Sequence, residues 1–397
     1  MQHRDRCNAE QRMKLDTTMP VEPVPALLTR AAAAWSNANS AVRRQARTAL
    51  AGGQWPRQTI ETALDNALYD FEAAACRYRR QAAPPLAPPS ALAILPGNII
   101  GPAVACAFCA AVAGAKVVLK SSHAERRLPE ILASQFDAFG EPFVDTVTAT
   151  YWSGGDASRE DAAFARADII VVFGEDATIA DVERRAPPRT VVRAYGNAYS
   201  IAYVSANAQL PQAADAAAQD IALFDQRGCM SPQTIYVQGD EPRCVAFAEA
   251  LHAALTRLAE RFPRAPADEL EREAVAAALR RLAVAALPSG EGSGIFVGAA
   301  QRGAPSHVVA AQSFGKPVCM GFGRIAVAKP CLDAAQAASA ASALGARFDT
   351  VAVAGDNHKE LRSLFQAAGA SRVCALGEMQ RPPFGYRPTI SDFTLPQ

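Results

Sequence analysis

Apolar positions in this chain recur first at helical spacing and then in alternating blocks of strand and helix, and the change falls near residue 90. Val24-Pro25-Ala26-Leu27-Leu28 leads into an alanine-rich amphipathic run, and Arg57 to Arg80 repeats the helical pattern. The stretch before it, residues 1–20, is polar and mixed in charge and is expected to be a loose terminus. Four prolines between Ala82 and Pro89 exclude a helix there and predict a rigid connector. From Ala91 the order becomes strand (Leu92 to Leu95), turn (Pro96 to Pro102), helix (to Gly114) and strand (Lys116 to Lys120, followed by Ser121-Ser122). A helix over Leu128 to Phe139, a strand near Val144 to Val147 and a strand over Asp168 to Gly174 continue the series. Such alternation predicts an α/β fold with a parallel sheet and right-handed crossovers. Ligands then bind beyond the carboxyl ends of the strands, at the Pro96 turn, at Lys120-Ser121-Ser122 and at Gly174.

The second half repeats the theme. Strand-like pieces flank Tyr195-Gly196-Asn197, and Ala206 to Phe224 reads as a helix delivering the chain to Gly228-Cys229. Ser231-Pro232 turns the chain, and a strand begins at Thr234. Cys229 therefore stands at a corner between rigid elements, where a nucleophile can be exposed yet held, although a free cysteine is more often a small buried hydrophobe. Beyond it come a helical region from Glu241 to about Ala286, a glycine-rich bend from Ser289 to Gly294, strands at Ile325 to Val327 and Thr350 to Val353, and a proline-rich tail. The bend lacks the Gly-Lys-Ser/Thr ending of a phosphate loop and reads as a surface loop.

Composition narrows the function classes. A chain of 397 residues that is half hydrophobic and a fifth charged can bury a substantial core. Its net charge of +1 gives no global field for nucleic acid or an anionic membrane. The nine cysteines are scattered and follow no secretory signal, which suits reduced thiols in a cytoplasm. Cys106 and Cys109 have C-x-x-C spacing but sit in an apolar helix pattern without a second pair, and the apolar run from Ala103 to Ala115 is too short to span a bilayer. The histidines show no metal or triad spacing; His307 is the one to watch.

Pro96-Gly97-Asn98, Lys120-Ser121-Ser122, Phe173-Gly174, Gly196, Cys229 and Phe322-Gly323 occur in the order and spacing of the aldehyde dehydrogenase superfamily, which the chain resembles from roughly residue 90 to 385. Val172-Phe173-Gly174-Glu175, the segment Tyr195 to Ser200, Gly228 to Gln233 and the run Arg372 to Pro383 resemble its acyl-CoA reductase branch, best known from the fatty acid reductase of bacterial bioluminescence. The resemblance implies two α/β domains with a cleft between them: a nucleotide-binding domain with N-terminal helices over 21–205, a catalytic domain over 206–375 and a proline-rich tail over 376–397.

By the same resemblance Cys229 is the nucleophile, its thiolate helped by Arg227 or a helix end, and Asn98 donates to the oxyanion. Lys120, Ser122, His123, Phe173, Gly174, Glu175, Gly196 and Phe322 line the cofactor site. His123 stands where NAD-dependent members often carry a glutamate, with Arg126 and Arg127 close by, so NADPH is favoured and NADH is the alternative. Two departures stand out. Arg193-Ala194-Tyr195-Gly196 replaces the Glu-Leu-Gly-Gly of hydrolytic members, removing the base that activates water. Met320-Gly321-Phe322-Gly323 replaces a Glu-x-Phe-Gly motif, removing the carboxylate that holds the nicotinamide ribose. The implied reaction is NADPH-dependent reduction of an acyl thioester, on coenzyme A or an acyl-carrier protein, to the aldehyde. Its rivals are an aldehyde dehydrogenase working oxidatively and a non-catalytic scaffold. A homo-oligomer and an aldehyde-accepting partner enzyme are also implied.

Overall fold

A computed structural model describes residues 24–81, 88–289, 292–320, 322–355 and 358–396. The terminus at 1–20, most of the proline connector and the middle of the glycine-rich bend lie outside the described residues, as does Gly321.

Four helices open the described chain: α1 (Val24–Ser36), α2 (Ala41–Ala51), α3 (Arg57–Asn66) and α4 (Phe71–Gln81). A buried arginine ties them together. Arg43 donates to the Trp35 carbonyl at 2.9 Å and pairs with Glu61 at 3.0 Å and Asp65 at 2.8 Å, so its charge is matched where it is desolvated. These helices pack on the first sheet through α5 (Gly101–Ala113), in which every residue except Gly101 and Ala105 is buried. Pro102 opens α5, and Gly114 closes it with a φ of 75°. Cys106 and Cys109 are core residues of this helix.

The first sheet is five-stranded and wholly parallel: β1 (Ser90–Ile94), β2 (Lys116–Lys120), β3 (Val147–Thr150), β4 (Ile169–Phe173) and β5 (Val191–Tyr195), in the order β3-β2-β1-β4-β5. Helices α6 (Arg127–Ala138), α7 (Ala157–Phe164) and α8 (Asp176–Arg185) connect its strands. The order reverses between β1 and β4, which opens a crevice at their carboxyl ends. Asn98 and Phe173-Gly174 stand at those two ends.

Gly196-Asn197-Ala198 then carries the chain into a second sheet. Its seven strands are β6 (Tyr199–Val204), β7 (Pro232–Gln238), β8 (Ile295–Val297), β9 (Val308–Ala311), β10 (Ile325–Cys331), β11 (Phe348–Ala354) and β12 (Arg372–Ala375), in the order β8-β9-β10-β7-β6-β11-β12. Only the β8·β9 pair is antiparallel. The passage between sheets therefore lies at residues 196–198 and not at 205/206, because β6 pairs with β7 and β11 and with no strand of the first sheet. One face of this sheet is covered by α9 (Leu210–Ala222) and α10 (Glu241–Arg261), and the other by α12 (Ala334–Ala341) and α13 (His358–Ala367). The expected single helical region from Glu241 is two helices, α10 and α11 (Glu269–Val284).

The tail is structural. Asp220 on α9 is buried, and its carboxylate accepts from the backbone N–H of Gly377 at 2.7 Å and of Met379 at 3.1 Å. Burial pushes this carboxyl up to about 7 in spite of those bonds. Further on, Phe384, Ile390 and Phe393 enter the core of the first sheet's helical layer, while Met379 belongs to the core of the second.

Candidate active site

The helix expected over Ala206 to Phe224 begins at Leu210 and stops at Ala222. Phe224, Asp225 and Gln226 follow with φ of 55°, 52° and 63°, three consecutive residues in the left-handed region. None is glycine, and each costs roughly 1–2 kcal/mol in that conformation. Buried polar contacts hold the turn. Asp225 pairs with Arg324 at 2.7 Å and accepts from the Ala265 N–H at 2.8 Å. Gln226 donates to the Pro232 carbonyl at 2.8 Å and accepts from the Ile325 N–H at 2.6 Å. The turn reverses the chain and presents Arg227-Gly228-Cys229 at the amino end of β7.

Cys229 is partly exposed. Its carbonyl accepts from the Ser200 hydroxyl at 2.7 Å, and the same hydroxyl accepts from the Thr350 N–H at 3.1 Å. Ser200 thus ties the start of β11 to the Cys229 backbone. The thiol faces Asp349. Burial, reinforced by the Asp349 carboxylate, pushes the thiol well above its ordinary pKa, and Arg387 opposes this. The expected help from Arg227 is not there. Its guanidinium turns away to Glu271 at 2.7 Å and Gln54 at 3.2 Å, and lies over the Trp55 ring. A raised thiol does not by itself single out Cys229, since burial also lifts Cys319 to about 11 and Cys374 to about 12.

Asn98 is exposed at the turn after β1, and its amide donates to the Arg227 carbonyl at 2.9 Å. That bond commits one amide N–H to the carbonyl two residues before Cys229 and leaves the other uncommitted to Arg227. Asp349 is buried, with one carboxylate oxygen accepting from the Tyr386 hydroxyl at 2.6 Å and lying 3.4 Å from Arg387. Its second oxygen has no hydrogen-bond partner among the described residues. Arg387 also lies over the Tyr195 ring, which stacks on Phe173 at 4.9 Å. Arg193 sits 3.8 Å from Asp392, and the Tyr195 hydroxyl bonds to the same carboxylate. The segment that replaces the hydrolytic glutamate is thus held by the tail.

A second group stands at the carboxyl ends of β2 and β3. Lys120 is part-buried with its ammonium 5.7 Å from the Trp152 ring, and burial lowers its pKa. His123 bonds to Tyr151 at 3.3 Å and to Arg126 at 2.9 Å, and Arg126 lies 3.5 Å over the Tyr151 ring. Two cations thus lie against flat aromatic faces at the ends of these strands. Ser122 accepts from the Glu125 N–H and stands against Gly97, where a Cβ would come within 3.0 Å of its hydroxyl. Gly174 and Gly196 are packed by Thr178 and Ile179 of α8, and Glu175 is exposed at the start of that helix. Phe322 packs with Val318 and Met320 against the apolar cluster of α11, β9 and β10. No ring contact or hydrogen bond joins Phe322 to Phe173 or Cys229 among the described residues.

Asp225, Gln226, Ser200, Asp349, Tyr386 and Arg387 were not singled out by sequence reasoning. The one available signal was the charge at Asp225 and Arg324, in stretches otherwise too apolar for an unpaired ion.

The sequence profile described as Acyl-CoA reductase (LuxC) matches residues 17–387. A long-chain acyl-protein thioester reductase from Photorhabdus laumondii is 28% identical over 184 residues, an alignment covering 46% of this chain and 38% of that protein. The chain thus spans well under half the length of this relative. Among solved structures, aldehyde dehydrogenase 21 of Physcomitrella patens superposes with a TM-score of 0.71 at 14% identity, covering 91% of this chain and 79% of its own. An NAD-dependent benzaldehyde dehydrogenase from Corynebacterium glutamicum superposes at 0.67 and 16% identity, covering 98% and 86%. At such identities the likeness is one of fold, the two-domain aldehyde dehydrogenase fold.

Proposed function

The chain belongs to the acyl-CoA reductase (LuxC) family, and from that premise we propose that it reduces an acyl thioester to the aldehyde through an acyl-enzyme on Cys229. The supporting observation is the corner itself: the Asn98 amide donates to the Arg227 carbonyl, two residues before the thiol, and Arg193 and Tyr195 occupy the segment that carries a glutamate in hydrolytic members. Cys229 attacks the thioester carbonyl, and the second N–H of Asn98 meets the oxyanion of the tetrahedral intermediate. Expulsion of the carrier thiol leaves the acyl group on sulfur. With no glutamate in the β5 segment to activate water, that thioester outlasts hydrolysis, and reduction yields a thiohemiacetal that releases aldehyde and restores the thiol.

A reduced nicotinamide nucleotide supplies the hydride when bound. Lys120, His123 and Arg126 would hold its adenosine end, with Ser122, Phe173, Gly174, Glu175, Gly196 and Phe322 along the rest of the site. Arg126 has no carboxylate partner among the described residues, which favours the 2′-phosphate of NADPH over NADH.

The relative named above is described as acting on acyl-protein thioesters with long chains, which supports a protein-borne or coenzyme A-borne fatty acyl group. We assign entry of that donor to a cleft of about 640 Å³ beside β12 and the tail. Tyr69, Arg362, Arg372, Arg381 and Tyr386 line it, and Asp70 and Glu378 offset part of the charge. The Arg372 guanidinium lies 3.8 Å from the Met230 sulfur, one residue past the nucleophile, so a phosphate-bearing carrier arm entering here meets arginine close to Cys229. Release of a reactive aldehyde suits delivery to an aldehyde-consuming enzyme, and assembly into a homo-oligomer belongs to the same reading.

Intact-protein mass spectrometry after incubation with a long-chain acyl-CoA tests the reading. An acyl increment on the Cys229 peptide, discharged as aldehyde on addition of NADPH and absent from Cys229→Ala, is expected. Aldehyde formation by Cys229→Ala would overturn it.

A further inference from the structure

We propose that Asp349 is the proton acceptor for the Cys229 thiol during acylation, an inference that rests on the Cys229 reading above. The placement of Asp349 is built into β11. Val351 and Val353 lie in the apolar cluster with Tyr203 and Phe365, and strict alternation backward from them would put position 349 on that same face. The register of β11 against β6 slips between Phe348 and Val351. Phe348 takes the place in the cluster, and Asp349 turns to the side where the Ser200 bridge joins Thr350 to Cys229. Bulges that re-aim a side chain are common beside reactive groups.

The carboxylate is polarised in use. Tyr386 and Arg387 both engage one oxygen, while the other is buried and without a partner among the described residues. A buried acceptor left unbonded costs about 1–3 kcal/mol, and the Asp349 carboxylate lies within electrostatic and hydrogen-bonding reach of the Cys229 thiol. Attack requires the S–H bond to give up its proton, and Arg193 and Tyr195 in the β5 segment offer no carboxylate to take it.

The step balances without another reactant. As sulfur bonds to the carbonyl carbon, the S–H bond breaks and its proton passes to the free Asp349 oxygen. Collapse of the tetrahedral intermediate breaks the carrier C–S bond, and Asp349 returns the proton to the departing thiolate. The carboxylate ends as it began, and the acyl group is on Cys229.

The test compares two reactions of Cys229 in Asp349→Asn, both followed by peptide mass mapping and neither requiring nucleotide. Iodoacetamide reacts only with thiolate. Removing the neighbouring negative charge lowers the thiol pKa, so alkylation at pH 7 to 8 should be faster than in the wild type. Acylation by acyl-CoA should instead be slower by about a hundredfold or more, the usual weight of general base catalysis. Opposite changes support the assignment. A fall in both marks a structural role and overturns it, as does acylation that keeps pace with alkylation. Unchanged acylation with a longer-lived acyl-enzyme would assign Asp349 to water activation instead, which also overturns it. Wild-type enzyme that takes no acyl group, or takes it with Cys229 replaced, would show that the Cys229 reading itself has failed. Should Asp349→Asn not fold, single-turnover acylation of wild type in D2O decides. Slower acylation supports proton transfer in the step, and an equal or faster rate overturns it.

Discussion

Asn98 offers two amide protons and commits one of them to the Arg227 carbonyl. Replacing it by Ala should therefore affect both the position of the Cys229 loop and the stabilisation of the oxyanion. The expected result is a loss of about 10²- to 10³-fold in the rate of acylation, with binding of the acyl donor much less affected. Single-turnover acylation across donor concentrations separates the two terms. A loss confined to donor affinity would remove Asn98 from the reacting centre. At this scale the site was partly legible in the sequence. Asn98, Lys120 and Cys229 stand at turns and strand ends, which a pattern of periodicities marks directly. Asp349, Tyr386 and Arg387 were not legible, because Asp349 lies in what reads as an ordinary strand start and only the slipped register aims it. Tyr386 and Arg387 lie in a tail whose prolines suggest a loose end.

Among the elements, the left-handed turn at Phe224 to Gln226 is the most demanding, since three unfavourable φ angles must be sustained together. The Asp225–Arg324 pair sustains them from within the core, both side chains being 2% exposed. Asp225→Ala leaves the guanidinium desolvated and unpaired, with an expected loss of about 3–5 kcal/mol in urea unfolding and of acylation even where the protein still folds. Full acylation in a folded Asp225→Ala protein would mean that the turn does not position Cys229. No periodicity marks the turn in advance, because a helical pattern continues through Phe224 and left-handed residues carry no periodic signature.

A second element-scale feature is the His252–His307 pair joining α10 to the start of β9. The rings share a hydrogen bond of 2.9 Å, and Ser306 bonds to the other His307 nitrogen at 3.0 Å. Burial, with His252 adding to it, lowers His307 from 6.5 to about 4. The unfolded chain therefore takes up this proton at a higher pH than the folded one. The contribution is complete above about pH 6.5 and is lost as pH falls toward 4, on the order of 3 kcal/mol in all. Urea unfolding at pH 7 and pH 5 should show a smaller acid loss in His307→Gln than in wild type. Equal losses would count against the pair.

At the scale of the whole molecule, the two sheets are joined by the short passage at residues 196–198 and by the tail. The parallel order of the first sheet followed from its alternating pattern, but the change of sheet after β5 did not, since β5 and β6 read alike as strands and only pairing distinguishes them. The tail matters to both halves: Phe384, Ile390 and Phe393 fill one core, Met379 the other, and Tyr386 and Arg387 the space beside Asp349. Phe393→Ala, at a fully buried site, should cost about 3–5 kcal/mol and should release Asp392 from Tyr195 as the segment loosens. Urea unfolding followed in parallel with Cys229 acylation checks this, and acylation should fail at a lower urea concentration than global unfolding.

The tail also sets the order in which the protein can become itself during synthesis. Pro388 accepts from Cys109 across 279 positions, and Asn66 reaches Gln380 across 314. The first core is thus synthesised before the second and completed only after it. Until the tail arrives, α5 has part of its apolar face uncovered, a state that invites a chaperone. Through the same interval Cys229 lacks the tyrosine and arginine that bracket Asp349, so under the role proposed above a growing chain carries the thiol without its finished surroundings and gains its reactivity only when folding is complete.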